Sequence, residues 1–223
     1  MNFTKAIEQF LRDNKKIAIL FEDVIRGYLA QRGWFVGGSL NAQQYLVLKK
    51  GIEQHQETAI ENFMIKHVRS KTKEVAADAY AIWPHRRTVL VDAFDAHSKG
   101  LYTLSVPVLL AQADGMTHEI FGAFLFTNRR GKKIRDKAKS IIETELEERP
   151  LAKSFLGLLL EESGLRLETQ KRDEQEKAGI SVSPLNRHGV LHGIDCNYPR
   201  EWNSLRAVAL IGFLNWVHEI KSK

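Results

Sequence analysis

Apolar residues near the start of the chain recur at spacings of three and four: Phe3, Ile7, Phe10 and Leu11, then Ile17, Leu20, Phe21, Val24 and Tyr28. At 3.6 residues per turn this spacing keeps them on one face, and it predicts two amphipathic helices closed by Gly33 and the Gly37-Gly38 pair. Asn41 or Ser39 is placed to cap a third helix containing Tyr45, Leu46 and Leu48. The period then continues from Ile52 to Arg69 through Ile60, Phe63, Met64 and Val68.

Between about Ser70 and Pro84 the charged pattern gives way to Trp83-Pro84, which divides the chain into an N-terminal helical region, 1–78, and a C-terminal bundle, 79–223. Val89, Leu90, Ala93, Phe94 and His97 mark a helix stopped by Gly100. Pro107 interrupts the next apolar run. The length of that run favours a helix beginning near Pro107, after a kinked turn, over a strand. Asn128 to Gly131 reads as a loop, Ile134 to Glu148 as a charged helix, and Leu151 to Leu160 as an apolar helix ending near Gly164. Residues 169–182, rich in Lys, Glu, Gln and Asp, read as a mobile surface connection. Glu201 to Lys221 is a last helix that is apolar on every side around Ala207 to Leu214. It requires cover all round, from a central bundle position or from a second subunit at the bundle edge, and Ala207, Ala209 and Gly212 permit close approach in either case. The fold class is all-α.

Composition narrows the setting. With 43% hydrophobic and 27% charged residues over 223 positions, the chain is that of an ordinary globular protein. Its one cysteine, Cys196, rules out an internal disulfide and fits a reducing cytoplasm. Met1 to Lys16 is charged and amphipathic, unlike a signal peptide, and no apolar stretch is long enough for a membrane span. A cytoplasmic protein is therefore expected. A net charge of +6 permits attraction to a polyanion. The basic residues cluster: Arg129 to Lys139 holds seven against one acidic residue, with Arg129, Arg130, Lys132 and Lys133 as candidate phosphate contacts. A smaller group comprises Lys66, Arg69, Lys71 and Lys73. Glu143, Glu145, Glu147 and Glu148 follow the larger run at once, a pattern that also suits a solvated helix face.

The richest chemistry lies in Asn186-Arg187-His188-Gly189-Val190-Leu191-His192-Gly193. Arginine keeps its charge and offers a planar donor fork to phosphate oxygens, while histidine gives or takes a proton near neutrality. A helix capped by Ser183, with Pro184 in its first turn and Gly193 at its end, would set His188 and His192 on one face.

At these residues the chain resembles the HEPN superfamily of small helical domains: Arg187 as the arginine, His188 as its polar neighbour, and His192 as the terminal histidine after four intervening residues, just before a long final helix. The resemblance spans roughly residues 80–223. It implies a helical bundle, a homodimer, and a metal-independent, cofactor-free endoribonuclease in which Arg187 holds the scissile phosphate. In that scheme His192 acts as general acid or base, and His188 or Asn186 orients the substrate or the imidazole. It also implies RNA or a nucleotide as ligand, with a toxin or phage-defence role and an inhibitory protein partner.

Two other readings compete. A HEPN-like module without catalysis would keep the helices and an anion contact at Arg187. Alternatively His188, His192 and Cys196, at four-residue intervals, could approach a zinc ligand set, although Gly193 interrupts the helix between the second and third. A purely structural arrangement would pair Arg187 with Asp195 or Glu201 and bury both histidines. Gln112, Asp114, His118 and Glu119 suggest a helix end or a hydrogen-bond network. His85, Arg86 and Arg87 are either an RNA-facing surface or an exposed first turn. The tryptophans 34, 83, 202 and 216 are expected as core anchors, and Cys196 as a small buried side chain.

Overall fold

The computed structural model describes residues 24–126, 132–144, 150–161, 163–167, 169–179 and 183–221. Within them the helices are α1 (Val24–Gln31), α2 (Ala42–Glu53), α3 (Glu57–Ile82), α4 (Arg87–Ser98), α5 (Tyr102–Phe121), α6 (Lys132–Thr144), α7 (Pro150–Leu156), α8 (Thr169–Lys177), α9 (Arg187–Leu191) and α10 (Glu201–Lys221). Short 3-10 turns fall at Pro84–Arg86, Gly157–Leu159 and Gly164–Arg166, and no strand occurs among the described residues. The protein is all-α. The expected helices over residues 3–21 lie outside the described residues.

The start and end signals act through identifiable bonds. Gly33 closes α1 with φ +75, a left-handed backbone that glycine adopts without strain. Asn41, rather than Ser39, caps α2: its Oδ1 accepts from Gln44 N at 3.0 Å, and its own N–H donates to Gln44 Oε1 at 2.9 Å. The helix expected over Ile52 to Arg69 is broken, because His55 adopts φ 54 between α2 and α3. α3 then runs unbroken to Ile82 and stops before Pro84, whose ring disfavours a helical predecessor. The proposed boundary at 78/79 therefore falls inside one continuous helix. Buried residues on both sides of it, from Ile25 to Val217, share one hydrophobic core.

α10 is the axis of that core. It packs against α3 on one side and α5 on another, and α4 covers α5 and α3. Every residue from Asn203 to Ile211 is buried, as are Phe213, Leu214, Asn215 and Val217. This chain alone satisfies the all-round apolar pattern. A second subunit is not required to cover α10, and a Cβ on Gly212 would already sit 3.0 Å from Val75 Cγ2 of α3.

Polar groups along α10 set its register. Asn215 accepts from Trp83 Nε1 at 3.0 Å and donates to Val75 O at 3.1 Å. Ser204 Oγ lies 2.7 Å from His97 Nδ1 and 2.9 Å from Ser105 Oγ. Burial holds His97 below the ordinary imidazole range, with Glu201 opposing and Arg69 reinforcing. Arg206 is 1% exposed. Its Nε donates to Arg32 O at 2.8 Å, Nη1 to Trp202 O at 3.1 Å, and Nη2 to Glu61, while the guanidinium lies 4.3 Å from the Trp34 ring centre. Trp34 Nε1 donates to the same glutamate at 2.9 Å. Trp34 and Trp83 are core anchors as expected; Trp202 is not, being 42% exposed.

Pro107 sits inside α5 rather than at its start. A proline there removes one N–H from the helix ladder and frees the carbonyl four residues earlier. That carbonyl belongs to Thr103, and the Tyr198 hydroxyl donates to it at 3.1 Å. Residues 169–177 are helical rather than an irregular connection. Lys, Glu, Gln and Arg are good helix formers, and polarity alone does not separate a solvated helix from a loop. Arg172 ties α8 to Asp195 at 3.7 Å.

Candidate functional site

The segment with the richest chemistry folds as a five-residue helix held from below. Its cap is Asn186, not Ser183. Asn186 is fully buried, accepts from Gly189 N at 2.8 Å, and donates to Leu167 O at 2.7 Å and Gly164 O at 3.2 Å. Both ends of the amide are used within the protein, so Asn186 positions α9 rather than contacting a ligand, which corrects its assignment to the substrate. Ser183 is buried and exchanges hydrogen bonds with the Leu185 backbone at 2.8 and 3.2 Å. Pro184 precedes α9 instead of opening it.

The other end turns sharply. His192 is the C-terminal cap, and Gly193 follows with φ +69, as the glycine signal implied. Ile194 N and Asp195 N both donate to Gly189 O, at 2.9 and 3.0 Å, folding the chain back over α9. A Cβ at position 189 would meet Asp195 Cβ at 3.1 Å, so glycine permits this return. The turn carries Cys196 into an exposed position. His188, His192 and Cys196 therefore do not make the three-ligand cluster that their spacing allowed, and no group of three metal-ligating side chains occurs among the described residues.

His188 and His192 do come together, with ring centres 4.3 Å apart and planes tilted by 49°. His192 is exposed and His188 partly buried. Arg187 packs on an aromatic ring, its guanidinium carbon 5.6 Å from the Phe126 ring centre. The segment bearing Phe126 is fixed by Asp114, whose Oδ1 accepts from Phe126 N at 3.0 Å. Phe126 and Asp114 are thus supports for Arg187 that sequence spacing did not reveal, because they are far from it along the chain.

The electrostatics of Arg187 separate it from its neighbours. Its Nε is buried without a hydrogen-bond partner, and no carboxylate or carbonyl engages its guanidinium among the described residues. The two acids that follow it in sequence are taken: Asp195 by Arg172 at 3.7 Å, and Glu201 by Arg69 at 2.7 Å. The other largely buried described arginines, Arg26, Arg32, Arg86, Arg166, Arg172 and Arg206, each have a carboxylate or carbonyl partner. A buried donor left unmade costs about 1–3 kcal/mol. Arg187 is therefore a cation with no complement among the described residues.

The remaining candidates scatter. Arg129 and Arg130 lie outside the described residues, and Lys132 and Lys133 open α6. That helix buries Ile134, Ala138 and Ile141 and exposes Asp136, Lys137, Lys139 and Glu143, with Lys139 and Glu143 at 3.8 Å. Its described outer face carries both signs of charge, as a solvated face does. Arg86 is bound by Glu119 and Gln112, and His85 by Glu119 at 3.1 Å, so His85 and Arg86 form a network with these two residues of α5. Arg69 and Lys71 are likewise in ion pairs. No helix among the described residues is long and apolar enough to cross a membrane. No protein-family model, curated protein or solved structure matches this chain.

Proposed function

We propose that the Arg187–His192 segment binds a phosphodiester and cleaves RNA without a metal, in the manner of the HEPN endoribonucleases that its motif resembles. The observation that carries the reading is Arg187: a partly buried side chain with a buried, unsatisfied Nε and no described counter-charge, adjacent in sequence to two imidazoles that touch each other. A phosphate would supply two acceptor oxygens to the planar fork and relieve the desolvated cation.

The chemistry needs little else. The substrate's 2′-oxygen bonds to phosphorus as its proton passes to one imidazole, and the bond to the 5′-oxygen breaks as that oxygen is protonated by a protein acid or water. The products are a 2′,3′-cyclic phosphate and a 5′-hydroxyl. His192, exposed at the cap of α9, is the proton-transfer group; His188, against it, orients its ring. Arg187 stabilises the charge developing on the non-bridging oxygens. A toxin or phage-defence setting with an inhibitory protein partner follows from the same resemblance. The homodimer has no support from α10, whose cover comes from its own chain.

Mixed RNA incubated with the protein in EDTA tests this reading by end-group analysis of the fragments. Cyclic phosphate ends made by the wild type and lost in His192→Ala and Arg187→Ala, with melting unchanged, support it. Intact RNA, or cleavage equal in all three proteins, refutes it. The unpartnered Arg187 also fits a binding module without turnover, which predicts RNA retention sensitive to Arg187→Ala and no fragments.

A further inference from the structure

The loop between α1 and α2 brings a second pair of reactive groups together, at a pocket that no α9 residue lines and independently of the reading above. Phe35-Val36-Gly37-Gly38-Ser39 lies against Trp216 of α10. A Cβ on Gly37 would sit 2.9 Å from Trp216 Cγ, and one on Gly38 3.4 Å from Trp216 Nε1, so glycine lets the backbone approach the indole this closely. The result places Ser39 Oγ 3.2 Å from Nε2 of His67 on α3. Both line a pocket of about 280 Å³ whose apolar walls include Phe35, Val68, Phe213 and Trp216.

Several features suit this pair to nucleophilic chemistry. Asn41 has taken the capping role at α2, which leaves His67 as the partner of the Ser39 hydroxyl among the described residues. Burial, and then the neighbouring Lys71, hold the His67 imidazole below its ordinary range against the opposing Glu74, so the ring is neutral near pH 7 and Nε2 can accept a proton. The ring is steadied by near-parallel stacking on Phe63, at 6.3 Å between centres and 8° between planes. The N–H groups of Gly37, Gly38 and Ser39 donate to no acceptor among the described residues and are available to an oxyanion. A serine within hydrogen-bond reach of a neutral histidine, beside free backbone donors, has the parts required for acyl transfer.

We propose that Ser39 and His67 are the nucleophile and general base of an esterase site that accepts small apolar acyl esters. Ser39 Oγ bonds to the acyl carbon as its proton moves to His67 Nε2, and the carbonyl π pair passes to oxygen. That pair returns as the bond to the alcohol breaks, and the alcohol leaves with the proton from His67. Water, deprotonated by the same imidazole, then attacks the acyl-serine; the acid departs and the proton returns to Ser39 Oγ.

An alkyl fluorophosphonate tests the pair directly, since it bonds to an activated serine with loss of fluoride. The full chain should take up one adduct on the peptide containing Ser39, and Ser39→Ala should take up none there. His67→Gln should slow the labelling about 100-fold, the scale of a general base. Hydrolysis of p-nitrophenyl butyrate should fall in both variants, with the wild-type melting temperature retained. An unlabelled Ser39 in the wild type, or equal labelling rates with and without His67, overturns the proposal; the first result needs no variant to fold.

Discussion

Arg206 and Arg187 are two cations drawn into the same protein and treated in opposite ways. Arg206, in the middle of α10, has Glu61 as counter-charge, two carbonyls for its other donors and the Trp34 ring against its face. Burial, and to a lesser extent the charge of Arg32, pull its pKa down, and Glu61 works against that pull. Arg187, at the start of α9, has the Phe126 ring and no described acid. The first arginine is complete and belongs to the fold. The second has no complement among the described residues, and that is the place the proposed phosphate would fill.

The largest effect should come from breaking the complete site. Glu61→Ala leaves Arg206 desolvated without its partner, and should lower unfolding free energy by about 3–5 kcal/mol, read from urea midpoints. Arg187→Ala breaks no ion pair among the described residues and should change stability by about 1 kcal/mol or less. If the two variants lost equal stability, the contrast between the arginines would disappear.

The supports of α9 come next. Asn186→Ala removes a helix cap and two donors to buried carbonyls, and should cost about 2 kcal/mol. It should also disturb the His188–His192 contact, visible as changed imidazole shifts in NMR spectra. A variant as stable as wild type would mean that Asn186 does not hold the segment.

Tyr198→Phe is the smaller test of how α5 tolerates Pro107. Loss of the donor to Thr103 O should cost about 1 kcal/mol or less, because the bond is exposed to water. Restoring the ladder with Pro107→Ala in the same chain should remove most of that cost; an additive double variant would show that the tyrosine does not serve the proline-freed carbonyl.

The smallest effect is with pH. His97 and His67 are both held below the ordinary value of 6.5 in the folded state, chiefly by burial. Below 6.5 the unfolded chain binds more protons than the folded one, so the stability they contribute is present above that pH and lost as pH falls through the folded values. His97→Gln should flatten this part of the profile, and an unaltered slope would remove His97 as its source.

Much of the architecture was legible because it depends on local signals. The all-round apolar stretch at Ala207 to Leu214 required cover on every side, which its own chain supplies rather than a second subunit, and Gly33, Asn41, Gly100 and Gly193 stand at the ends that they were expected to mark. Pro107 misled because the relief for its freed carbonyl comes from Tyr198, remote in sequence. Residues 169–177 misled because helix-forming polar residues look the same in a loop. Asn186 was legible as polar but not as a cap, since Gly164 O and Leu167 O, which bury its amide, are brought there by the fold. The two histidines that follow Arg187 could be read from the sequence, whereas Phe126 could not. The lack of a partner for Arg187 among the described residues could not either, because that depends on Arg172 and Arg69 having taken Asp195 and Glu201.

Binding of a 2′-deoxy dinucleotide tests the central claim most directly, because it presents the phosphodiester without the 2′-hydroxyl and separates anion recognition from cleavage. Titrated calorimetrically into the wild type, Arg187→Ala and the exposed-arginine control Arg87→Ala, it should bind the wild type and the control alike and lose about tenfold or more in affinity with Arg187→Ala, as for a charge-assisted contact of about 1.5–3 kcal/mol. Equal affinity in all three proteins would contradict the claim that the missing partner of Arg187 is a phosphate.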